Sequence, residues 1–511
     1  MLARNTLWNY IGFGVNLAVN FALFPFVVRH LGEAPAGLWL LLGSVTGYMG
    51  LFELGIVPAL MQRIAAALGR GVRSTIDEAV STAFAIMMAM MLIALQMIWF
   101  TPAIAGWLQL PPGYAGQAVG AISVAIAGVS LRMPQAPFQA VLLGCQRQDR
   151  CNQLWITLAL TKALATVVLI TLHIGVVGIV TMEAVVHLLA GVLQIMWVRK
   201  EMPLLRVSIR AVRIREAHDL LAFGVQVTLA GIFVLIVEQT DKLVIAASLP
   251  IEQVTRYSAA WKLYMLAYSI PTTLLQALSP VLANLHGAGE TERFRTAFLR
   301  MTKYSAAVAL PLAATLGLCS GWILRLWMGP SFADVYPIVA VLVCGFAVTS
   351  LNHAGHSALL AKGQVRLRLW LYDAPQAVLN LALSLWLVRR FGLLGVALGT
   401  LAPALLMQPV FLRLLSKSIG VGWSVWRPLV TSTVIPVLVA FVPALIVRVN
   451  SGPYSAAPFI ASAVSSATYL AWFCLRGMSA DERTQLLARV RFSCGARLPQ
   501  SQAEAAPRSS R

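Results

Sequence analysis

Charge is what this 511-residue chain has least of. Asp and Glu number 19 against 39 Lys and Arg, and all four types together make up 11% of the residues, under half the ~25% of an ordinary soluble protein. So little charge, beside 59% hydrophobic residues, excludes a set of water-soluble domains and marks an integral membrane protein. The six cysteines show neither disulfide nor metal spacing. There is no metal cluster, nucleophile elbow or phosphate loop, and the stretch 104–116 between two apolar segments holds no acid and no histidine. These absences argue against an enzyme working at the outer face; no catalytic residue, metal or cofactor is assigned.

What is present is apolar sequence in span-length blocks. A window of ~19 residues finds segments long enough to cross a ~30 Å core as helices. They are approximately 5–28, 37–61, 79–103, 117–142, 152–172, 176–197, 218–248, 254–282, 302–324, 336–361, 368–388, 392–415, 428–449 and 455–475, about fourteen transmembrane helices. The first follows Arg4 and lacks a convincing A-x-A cleavage site, so it reads as a retained helix.

The formal charge of +20 would suggest nucleic acid for a soluble protein. Here the positive-inside rule accounts for it and no nucleic-acid partner is expected. With a cytoplasmic N-terminus, only Arg29, Lys242, Arg256, Arg325, Arg389, Arg390 and Arg448 fall in outer loops. Arg132, Lys162 and Lys262 fall within spans, leaving 29 of the 39 basic residues on the cytoplasmic side. Both termini are therefore read as cytoplasmic, in the cell (inner) membrane.

A faint repeat sets the organisation. Sliding the sequence by 217 lays "LHIGVVGIV" (172–180) on "RRFGLLGVA" (389–397), matching Gly175 to Gly392 and Gly178 to Gly395. The second half then begins after six helices, an even number, so the halves are parallel repeats about an axis along the membrane normal. The expected fold class is an all-α polytopic membrane protein of two parallel six-helix lobes, 1–207 and 208–425, followed by two extra helices in 426–477. Residues 478–511 read as a basic, mostly disordered cytoplasmic tail able to rest on anionic lipid.

Polar residues inside the spans are the functional candidates, because each is costly there unless it meets a partner or a water-filled cavity. Asn5, Asn9, Asn16 and Asn20 share a stripe of roughly 60° on the first helix. They serve either as bonds to a neighbouring helix or as a cavity wall that binds sugar or head-group hydroxyls. Arg132 sits mid-segment beside Pro134 and Pro137, with no evident acid partner on the neighbouring segments. With Lys162 and Lys262 it could form a cationic cavity that holds a phosphate or pyrophosphate. Glu183 lies at a depth Lys162 can reach, and His187 is one turn away. Glu238, Asp241 and Lys242 lie near the outer end of the seventh helix. A Glu238–Lys242 salt bridge is the default there, and ion coupling through Glu238, Asp241 or Glu183 is the alternative. Asp373 is expected to pair with Arg366 or Arg368.

"NYIGFGVNLAVNFALFPFVVRHLGEAPAGLWLLLGSVTGYMGLFELGIVPALMQRIA" (9–65) resembles the start of polysaccharide-biosynthesis flippases of the multidrug/oligosaccharidyl-lipid/polysaccharide exporter superfamily. The resemblance is carried by Pro25, Arg29, Leu31-Gly32, Gly37, Glu53-Leu54-Gly55 and Arg63, with Glu53 where many members have Asp. The blocks 239–263 and 355–400 are similar too, so the resemblance spans roughly 1–415. It implies two six-helix lobes in a V and alternating access. It also implies flipping of a polyprenyl-pyrophosphate-linked oligosaccharide from the cytoplasmic to the outer leaflet, for cell-surface polysaccharide such as lipopolysaccharide. The partners implied are that lipid, membrane lipids and polysaccharide assembly proteins, with Arg132, Lys162 and Lys262 engaging the pyrophosphate. Two alternatives share the fold. A multidrug or cation antiporter is expected to carry an acid in its first helix, and 5–28 holds none. A peptidoglycan-precursor flippase would match fourteen helices.

Overall fold

A computed structural model describes residues 2–72, 74–111, 113–276, 278–478 and 482–483. Among the described residues there is no strand; the chain is a succession of helices. The first half comprises α1 (Leu2–Leu31), α2 (Glu33–Met49), α3 (Ile56–Arg70), α4 (Ser74–Leu95), α5 (Thr101–Gly106), α6 (Ala115–Arg132), α7 (Ala136–Gly144), α8 (Gln148–Thr171) and α9 (Val176–Glu201). The second half comprises α10 (Ile214–Ser248), α11 (Glu252–Gln276), α12 (Ser279–Gly287), α13 (Thr291–Trp327), α14 (Tyr336–Thr349), α15 (Asn352–Ala361), α16 (Val365–Arg368) and α17 (Ala374–Ile419). Then come α18 (Trp423–Ala440), α19 (Val442–Ser451) and α20 (Ala457–Trp472). The tail beyond residue 483 lies outside the described residues.

Among the described residues, twelve helical segments are long and apolar enough to cross a membrane. One of them, Val365–Ile419, is broken at Gly392 (φ 57°, ψ −135°) and accounts for two crossings. Helix α11 is too polar to qualify, yet it packs against α2, α13 and α14 and carries the chain back between α10 and α13. With that division and that addition, each of the fourteen expected segments falls on helix among the described residues. Gly175 and Gly392, matched by the repeat, each stand at the start of the last crossing of a six-helix set, since Gly175 caps α9 and Gly392 opens the second part of α17.

Several crossings are composite, for local reasons. Pro134 and Pro137 cannot donate to the preceding turn, so α6 stops at Arg132, a 3₁₀ turn covers Met133–Gln135, and α7 resumes at Ala136. Likewise α2 gives way to a 3₁₀ turn over Gly50–Glu53, after which Leu54 (φ 47°) and Gly55 (φ 61°) are left-handed and re-aim the chain into α3. Within lipid every backbone polar group needs an internal partner, and such breaks are tolerated where they are packed in protein or line a cavity.

Packing follows the two lobes. One apolar cluster, with Ile56, Leu60, Ile64, Val80, Met87, Ile122 and Leu142, fills the first lobe and takes in Leu220 of α10. Another, with Phe294, Phe298, Tyr372 and Phe411 of the second lobe, is closed by Trp426 of α18. A third joins the lobes, bringing Phe24, Val27 and Leu41 onto Tyr257, Leu263 and Phe346. The extra helices α18 to α20 dock on α13 through Val437, Phe441, Tyr469 and Phe473 around Ala307.

Candidate functional site

Between the lobes lies a cavity of about 510 Å³. Arg132 (α6), Lys162 (α8), Lys242 (α10) and Lys262 (α11) line it, with Asn20, Trp39, Thr46, Glu183, His187 and Gln239 among the other walls. All three intramembrane cations singled out in the sequence thus meet in one space, and a fourth joins them. Lys242, read from sequence as an outer-loop residue, lies inside α10, which runs on to Ser248. The signal was present: the apolar segment 218–248 runs six residues past Lys242, about 9 Å of rise, which draws the ammonium into the span.

The cations are held unequally. Lys162 Nζ is 3.6 Å from the Glu183 carboxylate and 3.5 Å from His187 Nε2, as the matching depths predict. The Trp39 indole N–H reaches the same carboxylate at 3.4 Å. Arg132, expected to lack an acid partner, has one: its guanidinium is 3.6 Å from Glu53. Sequence could not show this, because the 3₁₀ turn that aims Glu53 across the lobe depends on the break between α2 and α3. The expected Glu238–Lys242 bridge is not among the ion pairs of the described residues. Lys242 Nζ instead donates to Gln239 Oε1 at 3.5 Å, whose oxygen also accepts from Ser44 at 3.0 Å. Lys262 faces the Phe24 ring at 5.1 Å, with no carboxylate within ion-pair range among the described residues.

The asparagine stripe divides along its length. Asn9 accepts from the Asn152 amide of α8, a helix-to-helix bond. Asn16 and Asn20 donate to Gly12 O and Asn16 O within α1, at 3.1 and 2.9 Å. Asn20 lines the central cavity. Both asparagines also line an almost wholly apolar cleft of about 340 Å³ between α1 and α11, which shares Lys262 with that cavity. Asn5 has no described side chain.

Of the acids considered for ion coupling, only Glu183 borders the central cavity. Asp241 is 1% exposed and its carboxylate accepts from Tyr257 (2.5 Å), Thr400 (3.1 Å) and Ser384 (3.5 Å). Glu238 faces a separate cavity within the second lobe. Asp373 pairs with Arg368 at 2.9 Å, one of the two partners expected. Outside the spans, Cys145 sits in the turn between α7 and α8, where burial and then Glu201 push its thiol above the usual range.

The residues behind the family resemblance are mostly contacts between lobes. Arg29 donates to Trp327 O at 3.2 Å. Gly37 is so close to the next lobe that a Cβ there would lie 2.3 Å from Ile251 O. Gly55 meets Gly224 backbone to backbone, a Cβ at Gly55 lying 2.5 Å from Gly224 O. Arg63 is paired with Glu216.

A family model described as polysaccharide biosynthesis protein matches residues 51–337. The chain belongs to that family. Among its relatives, a Shigella flexneri protein named for O-antigen transport is 22% identical over 424 residues, 81% of this chain and 99% of that one. In structure the family member described here is similar to the lipid II flippase MurJ in an inward closed conformation, with a TM-score of 0.71 and 11% identity over 92% of this chain and 98% of that one. It is also similar to an inward-facing multidrug resistance MATE transporter, with a TM-score of 0.66 and 16% identity over 79% and 94%. At these identities the two structures establish the two-lobed transporter fold and nothing about cargo.

Proposed function

We propose that this protein is a flippase that carries a lipid-linked oligosaccharide from the cytoplasmic to the outer leaflet by alternating access, for cell-surface polysaccharide, and is not an enzyme. One observation carries the reading: the cavity between the lobes presents Arg132, Lys162, Lys242 and Lys262 against one acid, Glu183. A cavity of that balance suits a pyrophosphate, which Arg132 can take in bidentate fashion. It repels the cationic drugs of an antiporter.

The apolar cleft between α1 and α11 supports a lipid rather than a soluble anion. It meets the cavity at Asn20 and Lys262, so a polyprenyl chain can stay in the bilayer while its charged head enters the protein. Family membership and the name of the Shigella relative favour O-antigen-type glycans over peptidoglycan precursors. The membrane is the cytoplasmic (inner) one, with both termini inside, and the lobes are residues 1–207 and 208–425, followed by the added helices of 426–477.

The test is a strain lacking this protein, complemented with wild type or Arg132→Ala, in which polyprenyl-pyrophosphate-linked sugar is quantified in each leaflet. Accumulation on the cytoplasmic side in the deletion and in a normally expressed mutant is the expected result. An unchanged leaflet distribution in the deletion would overturn the flippase reading.

A further inference from the structure

A second cavity of about 170 Å³ opens within the second lobe, walled by α10, α11, α15 and the turn before α17. Its lining differs in kind from the cationic one. Trp261, Tyr264, Tyr268 and Tyr372 supply ring faces and edges, and Glu238, His353 and Gln376 supply polar ends. Tyr264 and Trp261 are tilted at 5.0 Å between ring centroids, and Tyr268 meets His353 edge-on at 5.1 Å.

Much of this polar wall is unspent. His353 is 9% exposed, yet its Nδ1 is buried without a hydrogen-bond partner among the described residues. Burying such a group costs on the order of 1–3 kcal/mol unless something else satisfies it. Among the described residues Glu238 makes no ion pair, and the hydroxyls of Tyr264 and Tyr268 donate no hydrogen bond. By contrast Asn352, on the same wall, is fully engaged with Tyr372 and Gln408, and Asp373 with Arg368. The wall therefore has a braced part and a vacant part.

We propose that this cavity receives one sugar ring of the glycan of the lipid-linked substrate; the proposal rests on the flippase reading above. Aromatic faces pack against the apolar C–H faces of a sugar ring. A carboxylate and an imidazole nitrogen accept its hydroxyls, and tyrosine hydroxyls both donate and accept. A few convergent polar groups in a largely apolar pocket are what fixes a small polar ligand. A cation or drug site would not need so many aromatic hydroxyls alongside an accepting imidazole.

Helix α11 supplies the geometry. Lys262 faces the central cavity, the adjacent Trp261 lines both the lateral cleft and the second cavity, and Tyr264 and Tyr268 follow in the second cavity. From Lys262 to Tyr268 is about 9 Å along a helix. A pyrophosphate bound at Lys262 can thus deliver the sugars bonded to it toward Tyr264 and Tyr268, while the lipid leaves through the cleft that Trp261 also borders.

The test uses the full chain in lipid nanodiscs and two probes. One is the polyprenyl-pyrophosphate glycolipid extracted from source cells deleted for this protein, and the other is undecaprenyl pyrophosphate with no sugar. Glu238→Gln with Tyr268→Phe changes hydrogen bonding and scarcely alters volume, so the fold is kept. The double variant is expected to bind the glycolipid at least tenfold more weakly and the bare pyrophosphate lipid as wild type does, whereas Arg132→Ala weakens both. Equal loss for both lipids, or no loss for either, overturns the glycan site while leaving the flippase reading in place. A variant that alters only the sodium or proton dependence of binding would make the cavity a cation site and overturn it likewise. Wild type that binds neither lipid sinks the flippase reading and this proposal with it.

Discussion

The Arg132 guanidinium stands 3.6 Å from the Glu53 carboxylate, and Arg132 lines both the central cavity and a neighbouring cavity of the first lobe that Glu53 borders. Glu53 therefore competes with any anion that enters. Replacing it with glutamine keeps the shape and removes the competing charge, so Glu53→Gln should bind undecaprenyl pyrophosphate several-fold more tightly and release it more slowly. Arg132→Ala should bind it about tenfold or more weakly, the effect of losing a charge-assisted bond of ~1.5–3 kcal/mol. Equilibrium binding and dissociation rates in nanodiscs check both.

Gly55 and Gly224 let two helices touch at the backbone. A Cβ on Gly224 would lie 2.1 Å from Leu54 O, and backbone cannot swing aside as a side-chain tip can. Gly224→Ala should cost ~1–3 kcal/mol by overpacking, lowering the unfolding temperature and transport together. Gly69→Ala is the control, since a Cβ there meets nothing within 4 Å and alanine favours the helix. Thermal unfolding of the purified variants separates them; equal melting would contradict the close contact.

Arg256 clamps the end of the lobe interface that the proposed topology places outside. It pairs with Glu33 of the first lobe at 3.0 Å and with Asp334 of the second at 3.0 Å. Thr255 Oγ1 adds a bond to Glu33 O at 2.7 Å. Arg256→Ala should raise the outward-open population, because a perturbation shifts a two-state balance only by its differential effect on the two states. The readout is labelling of Thr46→Cys, a cavity position, by an impermeant maleimide added outside. A several-fold faster reaction is expected in the Arg256→Ala background.

The proposed topology is checked in the same way. In a cysteine-free background, Ser451→Cys, exposed at the end of α19, should label in intact cells. Ser208→Cys, exposed in the link between the lobes, should label only after permeabilisation. The reverse pattern would invert both termini.

Much of this was written into the sequence because a membrane leaves few choices. A span-length apolar segment has to become a helix, since lipid offers no other partner for its backbone. Composition and periodicity thus led to an all-helical membrane fold, and the glycines at 175 and 392 suggested a repeat. A cavity lined by Arg132, Lys162 and Lys262 was equally legible, as charges in lipid-length segments have few tenable places. The resemblance motif was visible too, though its physical meaning was not.

Only the tertiary structure decided who meets whom. Glu53 reaches Arg132 because a 3₁₀ turn and two left-handed residues redirect the chain. Lys242 enters the cavity because α10 packs beside α2, and Gly55 is needed because Gly224, 169 positions away, touches it. The vacant aromatic pocket draws on helices from residues 233 to 376. Local sequence governs backbone hydrogen bonding, which is short-range; contacts between lobes depend on how whole helices cross, and no short stretch of sequence carries that angle.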